Sequence, residues 1–269
     1  MQASQTTWQV DIELEMFTRG PAQAEPILLL HDLDYLNGVD YPFVEQLAHT
    51  RRVLAPWHPG FGGSPLPDDF DAVDDLAYLY LELLRRVGPA HLVGCGFGGW
   101  IAAEIAIRCT HDIRSLVLVD ALGIKVSDRT TADIRDMFVV SPQELIALSW
   151  HDTEVGKATM PLPMSGRGYD EDQLTTMLNN RRTAALIGWK PFMHDPKLRK
   201  RLARIDRPAL VVWGNSDGIV SPDYGRAYAE SIPGARFVSV ESAGHYPYLE
   251  RPVEFVKAVE GFWQEVDSG

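Results

Sequence analysis

The sequence predicts an α/β protein: a mostly parallel central sheet with helices on both faces and a helical insertion late in the chain. Three observations carry this. Short apolar runs alternate with amphipathic helical stretches along most of the chain, the rhythm of strands joined by crossover helices. The runs are continuous rather than alternating, as expected of strands covered on both faces. The rhythm then stops between about Gly123 and Ile205, where helical patterns appear and no convincing strand does.

The segment from Trp8 to Met16 alternates apolar and polar residues and reads as one half-exposed strand. Covered strands are expected at residues 26–31, 52–56, 91–93, 116–120, 209–213 and 236–240. Helices are expected between them at 41–47, 73–87, 100–109, 223–231 and 253–266. Within the insertion, helical patterns cover 131–138, 142–150, 171–187 and 196–205. Trp150, Met160, Met164, Trp189, Phe192 and Met193 lie there and are candidates to line a pocket beneath a lid.

Composition bounds the function. Of 269 residues, 45% are hydrophobic and 23% charged, ordinary for a globular chain with a substantial core. A net charge of −12 argues against a nucleic-acid-binding surface. No apolar run reaches the ~20 residues of a membrane span, and the polar amino terminus lacks a signal-peptide core. Two cysteines are too few for a disulfide framework, so the expectation is a cytoplasmic protein with reduced thiols. Cys95 reads as a small hydrophobe under the sheet and Cys109 as helix core.

The chemistry is expected beyond the carboxyl ends of the strands. His31, Asp32, His58, Gly96, Asp120, Asp217 and His245 all fall there. The segment Gly94-Cys95-Gly96-Phe97-Gly98-Gly99 has the strand, sharp turn and helix of a nucleophile elbow, with glycine where the serine should stand. Asp217 follows a strand in Gly214-Asn215-Ser216-Asp217, and His245 follows another in Gly244-His245. Asp217 would orient the imidazole, leaving His245 as a base; Asp120 is an alternative acid. A metal site lacks the close ligand spacing that would mark one, and no cofactor is expected.

These segments, with His58-Pro59-Gly60-Phe61-Gly62-Gly63-Ser64, resemble the α/β-hydrolase superfamily, of the capped kind that includes esterases, C–C bond hydrolases and lactonases. The resemblance runs from about residue 8 to 266. It implies an α/β-hydrolase core of residues 1–122 and 206–269, with a helical cap at 123–205 inserted after the sixth strand. It implies catalytic roles for His245 and Asp217, with Gly96 at a substituted nucleophile position. The N–H groups of Leu33 and Phe97 would form the oxyanion hole, and His31, Asp32, His58, Trp150, Trp189 and Met193 would contact substrate. His31-Asp32-Leu33 departs from the family's His-Gly pattern, and a carboxylate at Asp32 or Asp34 opposes an oxyanion unless it turns to solvent.

Three readings follow. The first is an enzyme acting on a small, partly apolar carbonyl or ester substrate, with a His-Asp pair and no covalent serine step. The second is a serine hydrolase inactivated by replacement of its serine with Gly96. The third is a non-catalytic binding protein or receptor. The partner is a small molecule in each case, and a homodimer through the lid is compatible with the sequence.

Overall fold

The computed structural model describes residues 4–9, 13–33, 41–159, 171–189 and 191–268. Met160, Met164 and Asp34 lie outside them. Among the described residues one eight-stranded sheet forms the centre, in the order β1-β2-β4-β3-β5-β6-β7-β8. The expected first strand is instead a hairpin, β1 (Ser4–Gln9) and β2 (Glu13–Arg19), and β2 also runs antiparallel to β4. Alternation over residues 8–16 spans both arms of this hairpin, so the pattern alone did not reveal the reversal. The other strands, β3 (Pro26–Leu30), β4 (Arg52–Pro56), β5 (Ala90–Cys95), β6 (Ile113–Val119), β7 (Ala209–Gly214) and β8 (Arg236–Val240), pair in parallel.

Helices cover both faces. They are α1 (Pro42–Leu47), α2 (Val73–Val87), α3 (Gly96–Arg108), α8 (Pro222–Glu230), α9 (Pro247–Glu250) and α10 (Pro252–Ser268), with α4 to α7 lying between β6 and β7. Every residue of β5 and β7 is buried, which is why these strands read as unbroken apolar runs. Alternate side chains feed two cores. Leu28, Leu92, Leu118 and Val211 join one with α2 and α3, while Leu29, Val93, Val117 and Val212 join the other with α1 and α10. Cys95 belongs to the second core, as expected of a small hydrophobe, whereas Cys109 follows α3 and is exposed rather than core.

Between β6 and β7 the described helices are α4 (Pro142–Ser149), α5 (Thr153–Thr159), α6 (Glu171–Gly188) and α7 (Leu198–Arg201). Ser141 caps α4, its hydroxyl accepting from the Glu144 N–H, and Pro142 supplies a fixed φ at the first turn. Residues 131–138 are not helical. Asp133 accepts the backbone N–H groups of Val126 and Ser127 and pairs with Lys125, which ties this stretch into a loop instead. Two hydrogen bonds join α6 to the loop after β4: Gly62 N–H donates to Asn180 Oδ1 (2.9 Å) and Thr183 Oγ1 donates to Gly60 O (2.9 Å). No described helix is long and apolar enough to cross a membrane.

Candidate active site

The turn from β5 into α3 is built for close approach. Gly96 has φ +49°, a left-handed conformation, and leads directly into the helix. A side chain on Gly98 would collide with the Leu30 carbonyl of β3, and one on Gly94 with the Gly98 backbone. The small residues flanking position 96 are therefore a packing requirement. At Gly96 itself the obstacle is different: a Cβ there would fall inside the carboxyl group of Asp32.

Asp32 follows β3 and is buried. Rather than turning to solvent, its Oδ1 accepts the N–H of Phe97 at 2.7 Å, and its Oδ2 lies 3.3 Å from His245 Nε2. Phe97 N–H is thus committed to an internal carboxylate and is not the oxyanion donor the sequence suggested. Leu33 lines the cavity beside it. The backbone of Asp32 is held by a relay of neutral rings. His58 N–H donates to His31 Nε2 (3.1 Å), so His31 Nδ1 carries the proton and donates to the Asp32 carbonyl (2.6 Å). His58 Nε2 donates to the His31 carbonyl (2.9 Å), and its Nδ1 accepts from Tyr80 Oη (2.6 Å). Burial lowers His31 to about 4 and pushes His58 well below its ordinary range, so both stay uncharged.

His245 sits between two carboxylates. Its Nδ1 is 2.7 Å from Asp217 Oδ2, while the other oxygen of Asp217 accepts the N–H groups of Ile219 (2.8 Å) and Val220 (3.1 Å). Burial alone would lower the imidazole pKa, but Asp217 and then Asp32 outweigh it and hold His245 well above 6.5. Each ring nitrogen thus faces a carboxylate oxygen, an arrangement that favours the doubly protonated imidazolium. The Asp120 carboxyl lies beside this pair, its Oδ1 accepting from Gly214 N–H at 2.9 Å. Burial, with the charge of Asp217 adding to it, raises Asp120 far above the usual carboxylate range.

A cavity of about 40 Å³ opens onto Asp32 and His245. Its remaining wall comes largely from the segment between β6 and β7: Met137, Phe138, Leu145, Ser149, Asn180, Arg181 and Ala184. This volume holds roughly one to three waters. Of the sequence-expected substrate contacts, only Asp32 lines it. His31 and His58 are fully buried supports of the Asp32 loop. Trp150 packs against Tyr246 with ring centres 5.2 Å apart. Trp189 is half exposed against Phe138 and Phe192, and Met193 is buried core beside Gly188. Trp150 and Met193 join the two main cores instead of the cavity wall.

Sequence reasoning missed Ser149, Asn180 and Arg181, polar residues in ordinary helical patterns with no motif around them. Ser149 lines the cavity, and among the described residues its Oγ has no hydrogen-bond partner.

The Alpha/beta hydrolase family model matches residues 27–258. The chain is 30% identical to a pimeloyl-[acyl-carrier protein] methyl ester esterase of Chromobacterium violaceum, over 91% of this chain and 97% of that one. It is 26% identical to Lipase 1 of Psychrobacter immobilis, over 86% and 74% of the two chains. Among solved structures it is similar to 2-hydroxy-6-oxo-6-phenylhexa-2,4-dienoate hydrolase from Rhodococcus sp. strain RHA1, with TM-score 0.76 and 18% identity, over 98% of this chain and 99% of that one. The elbow, the ordered Asp217–His245 pair and these likenesses agree: the chain belongs to the alpha/beta hydrolase family of enzymes.

Proposed function

We propose that this protein hydrolyses a small, partly apolar ester without a serine acyl-enzyme, using Asp32, His245 and Asp217. One observation carries the reading. The carboxylate of Asp32 occupies the space of the side chain that Gly96 lacks, and faces His245 from there. The ester substrate class comes from the esterase and lipase relatives. The mostly apolar wall around Leu33, Phe138, Leu145 and Ile219 suits a compact alkyl or aryl portion. Residues 123–205 act as a cap, which must open for a substrate larger than the cavity to enter.

The protons balance. Asp32 takes a proton from a water as its oxygen attacks the ester carbonyl, and the His245 imidazolium gives its Nε2 proton to the leaving alkoxide. Asp32 then passes its proton across the 3.3 Å gap to Nε2, restoring the ion pair. Asp217 keeps Nδ1 in place throughout. The sequence suggested His245 as the base; its place between the carboxylates of Asp217 and Asp32 supports the acid's part instead.

The inactivated-serine reading requires a serine where Asp32 already sits. The receptor reading leaves a buried imidazolium between two carboxylates, costly to desolvate, with no task.

The test is hydrolysis of short-chain methyl esters by the parent, Asp32→Asn and His245→Gln, with thermal melts to show that each folds. The expected losses are on the order of 10²–10⁴ in kcat. Parent activity should persist through neutral pH and fall as pH rises through the His245 pKa, well above 6.5. Single turnover in water enriched in heavy oxygen should label the acid product. Label in Asp32 instead would mean that its carboxylate attacks the substrate directly, and full activity in Asp32→Asn would refute the reading.

A further inference from the structure

With Phe97 N–H bound to Asp32, the usual elbow donor is unavailable to a substrate carbonyl. Ester hydrolysis still builds negative charge on that oxygen, and removing one donor aimed at it costs about 10²–10³ in kcat. The cavity wall holds two candidates on the side contributed by the insertion. Asn180 is 1% exposed and Ser149 0% exposed, and both line the cavity. Asn180 Nδ2 and Ser149 Oγ have no hydrogen-bond partner among the described residues. A buried amide nitrogen and hydroxyl left this way cost stability unless something else engages them.

The orientation of Asn180 is fixed. Its Oδ1 accepts the Gly62 N–H at 2.9 Å, a role the amide nitrogen cannot fill, so Nδ2 is the atom left over. One helical turn on, Thr183 binds Gly60 O and anchors the same stretch of α6 to the same loop. Ser149 is placed just as firmly: its carbonyl accepts the N–H of His245 itself at 2.7 Å. Asn180 is therefore positioned against the loop that carries His58, and Ser149 against the loop that carries His245.

We propose that the cap supplies the oxyanion site of this enzyme: the Asn180 side-chain N–H, with the Ser149 hydroxyl, receives the carbonyl oxygen of an ester. This rests on the ester-hydrolase reading above. The donors belong to the insertion, so closing the cap and completing the site are one event. An open cap leaves Asp32 and His245 without the donor that stabilises the transition state, which guards against unproductive water chemistry.

The experiment compares parent, Asn180→Asp, Asn180→Ala and Ser149→Ala, with Asn179→Asp as the control. Asn179 lines the separate outer groove with Gly62 and Arg182 and should behave as parent. Asn180→Asp keeps an acceptor for Gly62 N–H and loses the donor at neutral pH. Its kcat should fall by about 10²–10³ with KM changed only a few-fold. The ratio of variant to parent should recover as pH drops and the new carboxyl gains a proton it can donate. Ser149→Ala should lose less. A second readout does not depend on turnover. The infrared carbonyl stretch of acetone, added at saturating concentration, should shift to lower frequency in parent and not in Asn180→Asp or Asn180→Ala. An unshifted carbonyl in parent, or parent-like kcat in both Asn180 variants, overturns the proposal. If Asp32→Asn abolishes hydrolysis while the Asn180 variants do not, the cap subsite alone fails. If the parent hydrolyses no ester but the carbonyl shift is seen, the ester reading fails and the subsite stands.

Discussion

Asp120, Asp217 and His245 present atoms within 4.8 Å of one another in a fully buried cluster, and two adjacent carboxylates there do not both ionise. Asp217 has two backbone donors and the imidazole; Asp120 has one backbone donor, and its side chain faces Asp217, to which a protonated carboxyl can donate. Asp120 is the one that keeps its proton. It also sits at φ +43°, an uncommon conformation for a non-glycine residue. Its folded-state pKa is raised, so the folded protein holds a proton that the unfolded chain releases above about 3.8. The stability Asp120 contributes is therefore complete below that pH and lost as pH rises towards its folded pKa. Asp120→Asn keeps the acceptor for Gly214 N–H without this penalty. It should melt higher than parent at pH 8, each kcal/mol gained being worth about 2–4 °C, with the gain shrinking towards pH 4. A variant that melts lower at pH 8 would show that Asp120 is charged. Asp217, His245 and the glycine at 96 were legible because each follows a strand in a recognisable turn. The direction of Asp32 was not, since one bond rotation separates a carboxylate in solvent from one in the oxyanion position.

At the scale of elements, the site is an agreement between the ends of β3, β4 and β5. The β3 end carries Asp32, the loop after β4 carries His58 and Gly62, and the β5 end supplies Gly96 and Phe97. Tyr80 of α2 joins this set through His58, and burial holds its phenol in the protonated, donating form. Tyr80→Phe removes that donor and leaves His58 Nδ1 buried without it. Urea unfolding should show a loss of about 1–3 kcal/mol, with reduced hydrolysis as the Asp32 loop relaxes. Unchanged stability would mean that the ring relay does not hold the loop. Most strands and long helices could be read from apolar periodicity. Residues 131–138 could not, because Asp133 turns its carboxylate back onto the N–H groups of Val126 and Ser127 and onto Lys125, contacts made outside the periodic stretch. The lid aromatics misled for a related reason: size and apolarity mark a side chain as buried without saying what it is buried against.

Across the whole molecule, the family scaffold is retained, and the proposed mechanism places the reacting group on a different loop. The sheet order, the helices on both faces and the insertion after β6 follow the expected plan, and Asp217 and His245 occupy their expected ends of β7 and β8. The group facing His245 is Asp32, in the loop after β3, and the elbow after β5 offers only Gly96. Asp32 and Gly96 are two halves of one change: the carboxylate needs the glycine's space, and a serine would need the carboxylate gone. The most direct measurement is therefore esterase activity of Gly96→Ser in two backgrounds, the parent and Asp32→Gly. The account predicts that Gly96→Ser alone loses activity and stability, because the new Cβ and the Asp32 carboxyl contend for one space. It predicts that the double variant gains a serine-dependent esterase trapped by a fluorophosphonate probe. A large gain of esterase activity from Gly96→Ser alone, with Asp32 in place, would contradict it.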